Sequence, residues 1–185
     1  IILMLAALCH DFGKPITTRF FRGRWRSPSH DSVGVIPTEQ FLKRITNDRN
    51  LIEKVKTLVK EHLRPIQLYN ARNIINKSTI KRLSMRVNIS NLVLLAKADY
   101  FGRSISKIGK SSFDAGNWLL LEAEKMAVHE DGPKPLLLGR HLLAIGMKPG
   151  PKMGILLKKA FEKQLNGDLE KEEDAISWAK LTMST

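Results

Sequence analysis

Apolar positions recur with helical spacing along most of the chain. The first ten residues, IILMLAALCH, are apolar on nearly every side and predict a helix over 1–10. Gly13 and Pro15 end it, in the pattern of a C′ glycine followed by a proline. Residues 16–29 lose the helical period. There TTRFFRGRWRS offers two short β-like runs around Arg22-Gly23, which predict a small hairpin. Helical spacing resumes over about 30–45, interrupted near Pro37, and over 49–62, where Val55, Leu58, Val59 and His62 share one face. RPIQLYNARN predicts a loop. Helices follow over about 78–87, 90–102 and 113–128, with Ser78 and Ser90 as N-caps. EDGPKP at 130–135 is the strongest boundary signal. Beyond it lie helices near 138–145, 151–165 and 171–182. Asn166-Gly167 closes the middle one, and Glu170, Glu172, Glu173 and Asp174 suit the start of the last. The pattern predicts an all-α protein with one irregular or β-hairpin insertion, divided into residues 1–130 and 131–185.

Composition narrows this picture in three ways. The 185 residues, 43% of them hydrophobic, suffice for one sizeable core or one domain with an appendage. The chain opens on Ile inside an apolar pattern, which reads as a piece of a longer protein. That opening run is too short to span a bilayer and lacks a basic leader or a small-residue cleavage site, so a soluble, cytoplasmic protein is expected, with no membrane partner. A single cysteine, Cys9, excludes an internal disulfide framework and a Cys-rich zinc site. Among Leu5, Ala6 and Leu8 it reads as a buried thiol packed like a small hydrophobe. Lys and Arg number 31 against 18 acids, a net charge of +13. That excess points to a polyanionic partner, nucleic acid first, although a basic surface also serves solubility.

The candidate chemistry lies in the histidines and helix-borne acids: His10, Asp11, His30, His62 and Asp99. Each has a structural reading. His10 and His62 can stand at helix C-termini, where a cation is favoured, Asp11 can be an exposed acid, and His30 can open a helix. Asp99 is harder to dismiss, because Leu92, Leu95, Ala96 and Phe101 surround it and a carboxylate in a core needs a partner. Taken together, three imidazoles and two carboxylates on separate helices can converge in a bundle core as a metal site. The mixed donor set suits a divalent ion such as Mn, Mg, Ni, Fe or Zn rather than a structural zinc. Such an ion lowers the pKa of water and neutralises phosphate charge, as phosphoester hydrolysis requires.

The segments LAALCHDFGKPITT, SPSHDSVG, VKEHLRP and LLAKADYFGR, in that order, resemble the HD-domain metal-dependent phosphohydrolases. More narrowly, they are similar to the HD domain of bacterial tRNA nucleotidyltransferases, the CCA-adding enzymes. The resemblance covers about residues 3–103 and implies an HD helical bundle. It assigns His10-Asp11 to the signature pair, His30 and His62 to the middle histidines and Asp99 to the final carboxylate, with Asp11 as the bridging ligand. It also implies that Lys14, in HD-x-G-K, meets the substrate phosphate as a point charge. The family's first metal histidine lies upstream of the pair, and no Asp-x-Asp nucleotidyl-transfer site is visible. The resemblance therefore implies a divalent-metal phosphohydrolase acting on nucleotide or RNA-terminal phosphoesters. The alternative is a catalytically silent module that grips tRNA.

Two basic stretches could face such a substrate. Arg19, Arg22, Arg24 and Arg26 alternate with Phe20, Phe21 and Trp25, with no acid from Phe12 to Ser29. Arginines bind phosphates and aromatics stack on bases, so this loop could form the lip of the site. It could equally be a hairpin with its aromatics packed inward. Near the C-terminus, GMKPGPKMG feeds a helix with Lys148 and Lys152 at its start, which could take a phosphate or simply link two packed helices. LLLGRHLLAIG resembles the C-terminal segment of the same family, with His141 where an Asp is common. His129 and His141 read as surface or turn residues. DFG has no accompanying kinase motifs, and there is no Walker-type phosphate loop.

Overall fold

A computed structural model describes residues 1–102 and 112–183. Helices dominate it. The long amphipathic helix α5 (Arg49–Glu61) is the spine of the larger part. Asp48 starts it, its carboxylate accepting from the Leu51 amide at 3.0 Å, and Ile52, Val55, Leu58 and Val59 form its buried face. The opening helix α1 (Ile2–Cys9) lies across α5 and buries Ala6 and Cys9. Helix α8 (Ile89–Gly102) closes the other side of α1 with Leu92, Val93 and Leu95, and α9 (Asp114–Lys125) packs behind it through Leu119 and Ala123. The remaining members are α2 (Lys14–Thr17), α3 (His30–Val33), α4 (Val35–Leu42), α6 (Arg64–Asn70) and α7 (Lys77–Ser84). These helices enclose one hydrophobic cluster running from Ala6 to Val128.

A second cluster gathers Leu137, Leu142, Leu156, Ala160, Leu169, Ala175 and Ala179. It belongs to α10 (Gly139–Ala144), α11 (Pro151–Asn166) and α12 (Glu172–Met183). Asn166-Gly167 ends α11 as the pattern predicts, with Gly167 left-handed at φ 91°. Between α7 and α11 the hydrogen bonds are polar and long-range: Lys81 donates to the Gln164 carbonyl at 3.2 Å, and Arg82 reaches Glu162 at 2.7 Å and Asn166 at 3.2 Å. The buried Gln164 amide also fastens the connecting segment, donating to the Lys134 carbonyl and accepting from the Leu136 amide.

The hairpin forms where the sequence places it. Strand β1 (Arg19–Phe21) pairs antiparallel with β2 (Arg24–Arg26), with Phe20 opposite Trp25. Arg22 and Gly23, at φ 51° and 75°, make the two-residue turn whose twist suits a hairpin. Phe20, Phe21 and Trp25 are exposed rather than packed inward.

Several local expectations are corrected. RPIQLYNARN is no loop: its first seven residues form α6, because Pro65 occupies the first turn, where no amide donor is needed, and Pro65 and Leu68 bury against the core. The helix over 30–45 breaks at Gly34 rather than near Pro37, which again sits in a first turn, that of α4. Gly13 is not a left-handed cap, since its φ is −79°. Its role is close approach: a methyl there would lie 2.1 Å from the His30 carbonyl oxygen. The caps of α7 and α8 are Asn76 and Asn88, each two residues before the predicted serine, with each side-chain carbonyl accepting from an amide three residues on. Among the described residues no helix is long and apolar enough to cross a membrane.

Candidate metal centre

Helix ends converge on one point. His10 follows the last turn of α1, Asp11 lies in the turn after it, His30 opens α3, His62 caps α5, and Asp99 sits in the last turns of α8. The packing of α1 on α5 and α8, and of α3 on α5, brings these termini together. Gly13 and Gly34 let α2 approach α3 at backbone contact, so that the segment after Asp11 lies directly against the turn carrying His30.

One ligand atom from each of Asp11, His30 and His62 lies within 4.8 Å of the other two. Each histidine is oriented by a backbone carbonyl three residues before it. His10 Nδ1 faces the Ala7 oxygen at 2.7 Å, His30 Nδ1 that of Ser27 at 2.8 Å, and His62 Nδ1 that of Val59 at 2.6 Å. A carbonyl only accepts, so Nδ1 carries the proton, and at His30 and His62 the Nε2 lone pair is left for the site, the arrangement that orients metal-ligating histidines. His30 Nε2 stands 3.6 Å from Asp11 Oδ1. Asp11 Oδ1, His30 Nε2 and His62 Nε2 are buried, and among the described residues no group hydrogen-bonds to them. A polar atom left so in a core costs about 1–3 kcal/mol. Three on one point, two nitrogens and one carboxylate oxygen, fit a divalent first-row cation.

Electrostatics agree with this geometry. Burial lowers the pKa of His62, which keeps its imidazole neutral. His10 moves the other way: its hydrogen bond to Asp99 raises its pKa against a smaller opposing effect of burial. His10 Nε2 lies 3.5 Å from Asp99 Oδ1 and 3.3 Å from Asp11 Oδ2, forming a paired flank beside the triad. Lys14 Nζ binds Asp11 Oδ2 at 2.6 Å, leaving Oδ1 turned to the histidines. A cavity of about 390 Å³, lined by His10, Asp11, Lys14, Ala98, Asp99 and Gly102 among others, opens this flank to solvent. A larger cleft of about 500 Å³ between α5 and the 84–88 turn contains no histidine.

The structure thus brings six of the sequence-derived candidates together: His10, Asp11, Lys14, His30, His62 and Asp99. Arg19, Arg22, Arg24 and Arg26 stand on the hairpin, joined to the site through its base. Lys148 and Lys152 lie apart, exposed at the start of α11 in the second cluster. The sequence reading passed over Glu61, a buried carboxylate beside His62. Arg64 and Arg86 hold it at 3.0 and 3.2 Å, tying α5 to α6 and to the turn after α7. Its signals were an acid on the apolar face of a helix and an arginine three residues on.

An all-α bundle with histidine and carboxylate donors gathered at its helix ends is a divalent-metal-binding helical domain by class. The family profile described as HD domain matches residues 1–104, and the chain belongs to that family. HD domains bind divalent metals, and among the described residues Asp11, His30 and His62 form a triad that could hold one. The chain is also similar to the A-adding tRNA nucleotidyltransferase of Deinococcus radiodurans, at 29% identity over 98% of this chain and 43% of the relative. The CC-adding tRNA nucleotidyltransferase of Thermus thermophilus is 29% identical over 92% of this chain and 38% of its own length. A multifunctional CCA protein of Xylella fastidiosa is 31% identical over 55% of this chain and 25% of its own. The chain spans less than half the length of these relatives. No solved structure matches it.

Proposed function

We propose that this chain is a divalent-metal-dependent phosphohydrolase acting on nucleotide or RNA-terminal phosphoesters, within the tRNA-processing setting of its relatives. One observation supports this most: the three buried, unpartnered ligand atoms of Asp11, His30 and His62 face one another. A divalent ion held there supplies Lewis acidity, lowering the pKa of water and offsetting phosphate charge. Asp11, His30 and His62 hold it, with His10 and Asp99 completing the set on the open side. Asp11 uses its two oxygens differently, one toward the histidines and one toward Lys14. The Lys14 ammonium, at the mouth of the same cavity, is placed to neutralise a phosphate oxygen. Residues 1–130 form the phosphohydrolase domain in this reading, and 131–185 an appended helical segment.

The test is hydrolysis of p-nitrophenyl phosphate and of a 2′,3′-cyclic nucleotide with excess Mn²⁺, Ni²⁺ or Mg²⁺, alongside elemental analysis of the purified protein. Asp11→Ala abolishes turnover and lowers bound metal. Unchanged turnover in that variant refutes the assignment. Metal-free protein without turnover, yet with salt-sensitive tRNA binding, would make the domain a binding module instead.

A further inference from the structure

We propose that the β1–β2 hairpin is a binding site for the unpaired nucleotides of an RNA strand, stacking their bases beside the metal centre. This rests on the phosphohydrolase reading and names what holds its substrate. Phe20 and Trp25 are directly opposite in register, so their rings share one face, and they meet edge to face at 5.5 Å. They are 62% and 71% exposed and are members of none of the three hydrophobic clusters of the described residues. Two large aromatics with no core to join are poor contributors to folding and good surfaces for a planar ligand. Arg19 and Arg26, paired in register, occupy the opposite face with Arg24, while Arg22 at the turn leans over the Phe21 ring at 5.2 Å. No acid lies between Phe12 and Ser29. One face thus offers rings for bases to stack on, and the other carries arginines that no acid of the segment compensates, the two chemistries a single strand calls for.

The location identifies the occupant. Thr18 and Ser27 close the base of the hairpin through a 2.8 Å hydroxyl contact, and the Ser27 carbonyl orients His30. The hairpin therefore springs from the rim of the metal centre. Phe20 and Trp25 stand two residues beyond the hairpin's base, about 7 Å of strand, where they would meet a nucleotide neighbouring the reacting phosphate. A duplex, whose bases are already stacked, gains nothing from those rings. A lipid surface would engage the arginines and aromatics but has no reason to end at a phosphoester site.

The experiment measures binding of a fluorescent, unstructured RNA strand of about ten nucleotides in EDTA, so that it does not depend on metal or turnover. Trp25→Ala and Phe20→Ala each weaken binding by about tenfold to a hundredfold, and Trp25→Phe restores most of it. An abasic strand of the same length binds the parent protein no better than RNA binds Trp25→Ala. Replacing Arg24 and Arg26 together by Ala lowers the slope of log affinity against log salt by about 1.4. Circular dichroism of each variant matches that of the parent. Equal affinity for the abasic strand, preference for duplex, or binding only to anionic vesicles overturns the proposal. Turnover is read with metal and RNA binding in EDTA, so loss of turnover in Asp11→Ala and loss of binding in Trp25→Ala report on separate claims.

Discussion

Gly13→Ala perturbs the centre without touching a ligand. Its added methyl would lie 2.1 Å from the His30 carbonyl oxygen, 2.9 Å from its carbonyl carbon and 2.8 Å from the Gly34 nitrogen. Ordinary contact begins at 3.4 Å, so the carbonyl must retreat by about 1.3 Å. All three atoms are backbone, and no rotamer relieves them. Relief requires α3 to move away from α2, and α3 begins with His30. The imidazole is then displaced by about an ångström from its partner Asp11, while metal–ligand distances tolerate about 0.2 Å. Metal affinity should fall by about 10–100-fold, as it does when an outer-shell support is lost.

Stability separates this account from a simpler one. The backbone at Gly13 is right-handed, with φ −79° and ψ −16°, so an alanine carries no strain there. The smaller conformational freedom of alanine in the unfolded chain would alone then favour the variant by about 0.4–1 kcal/mol. Overpacking opposes this by about 1–3 kcal/mol, leaving a net loss of up to about 2.5 kcal/mol without metal. Urea unfolding with and without Mn²⁺ measures both effects. The extra stability conferred by a fixed excess of metal should shrink by about 1.4 kcal/mol for each tenfold loss of affinity. A variant that is more stable than the parent, with unaltered metal stabilisation, would refute the close-approach argument. Gly34→Ala, whose methyl would lie 2.7 Å from the same carbonyl, should act in the same direction.

Two further outcomes follow from groups away from the centre. Burial raises the pKa of the Cys9 thiol, so it stays protonated at neutral pH and should resist alkylation until the protein unfolds. Rapid labelling of native protein would contradict its burial. Lys43 and Lys56 hold the Glu39 carboxyl down to about 2, well below its ordinary 4.5. Its folded pKa is depressed, so its contribution to stability is complete above about pH 4.5 and is lost as pH falls towards about 2. Acid unfolding followed over that window should flatten in Lys56→Met. An unchanged profile would show that the Glu39 contacts at 2.6 and 2.7 Å do not persist in solution.

Much of the bundle was legible because its strongest signals are local. The face of α5 follows from spacing alone, and the hairpin from a single Arg-Gly turn between two β-like runs. What remained hidden depends on contacts between distant segments. The approach of Gly13 to His30 involves two backbones that spacing cannot align, so glycine was read as a cap. Pro65 and Pro37 were read as interruptions because a sequence does not reveal which residue is first in a helix. Asn76 and Asn88 took the caps from nearby serines once the chain direction was fixed. The histidines could be ordered in advance, but not the division of Asp11 between Lys14 and the imidazoles.

The end of α5 shows how a structural polar group differs from one held for a ligand. Glu61 and His62 are adjacent and both are buried. A charge at the first position demands pairing, and the chain provides it: Arg64 and Arg86 take one carboxylate oxygen each. His62 is treated differently. Its Nδ1 is satisfied by the Val59 carbonyl, yet its Nε2 has no partner among the described residues. The same is true of His30 Nε2 and Asp11 Oδ1. A fold that pairs Glu61 on both oxygens can satisfy buried polar groups at this depth. Leaving three atoms unpaired at one point, with the rest of each side chain fixed, sacrifices stability that a bound cation returns. Metal binding should therefore be linked to folding, and the apo protein should be the less stable form.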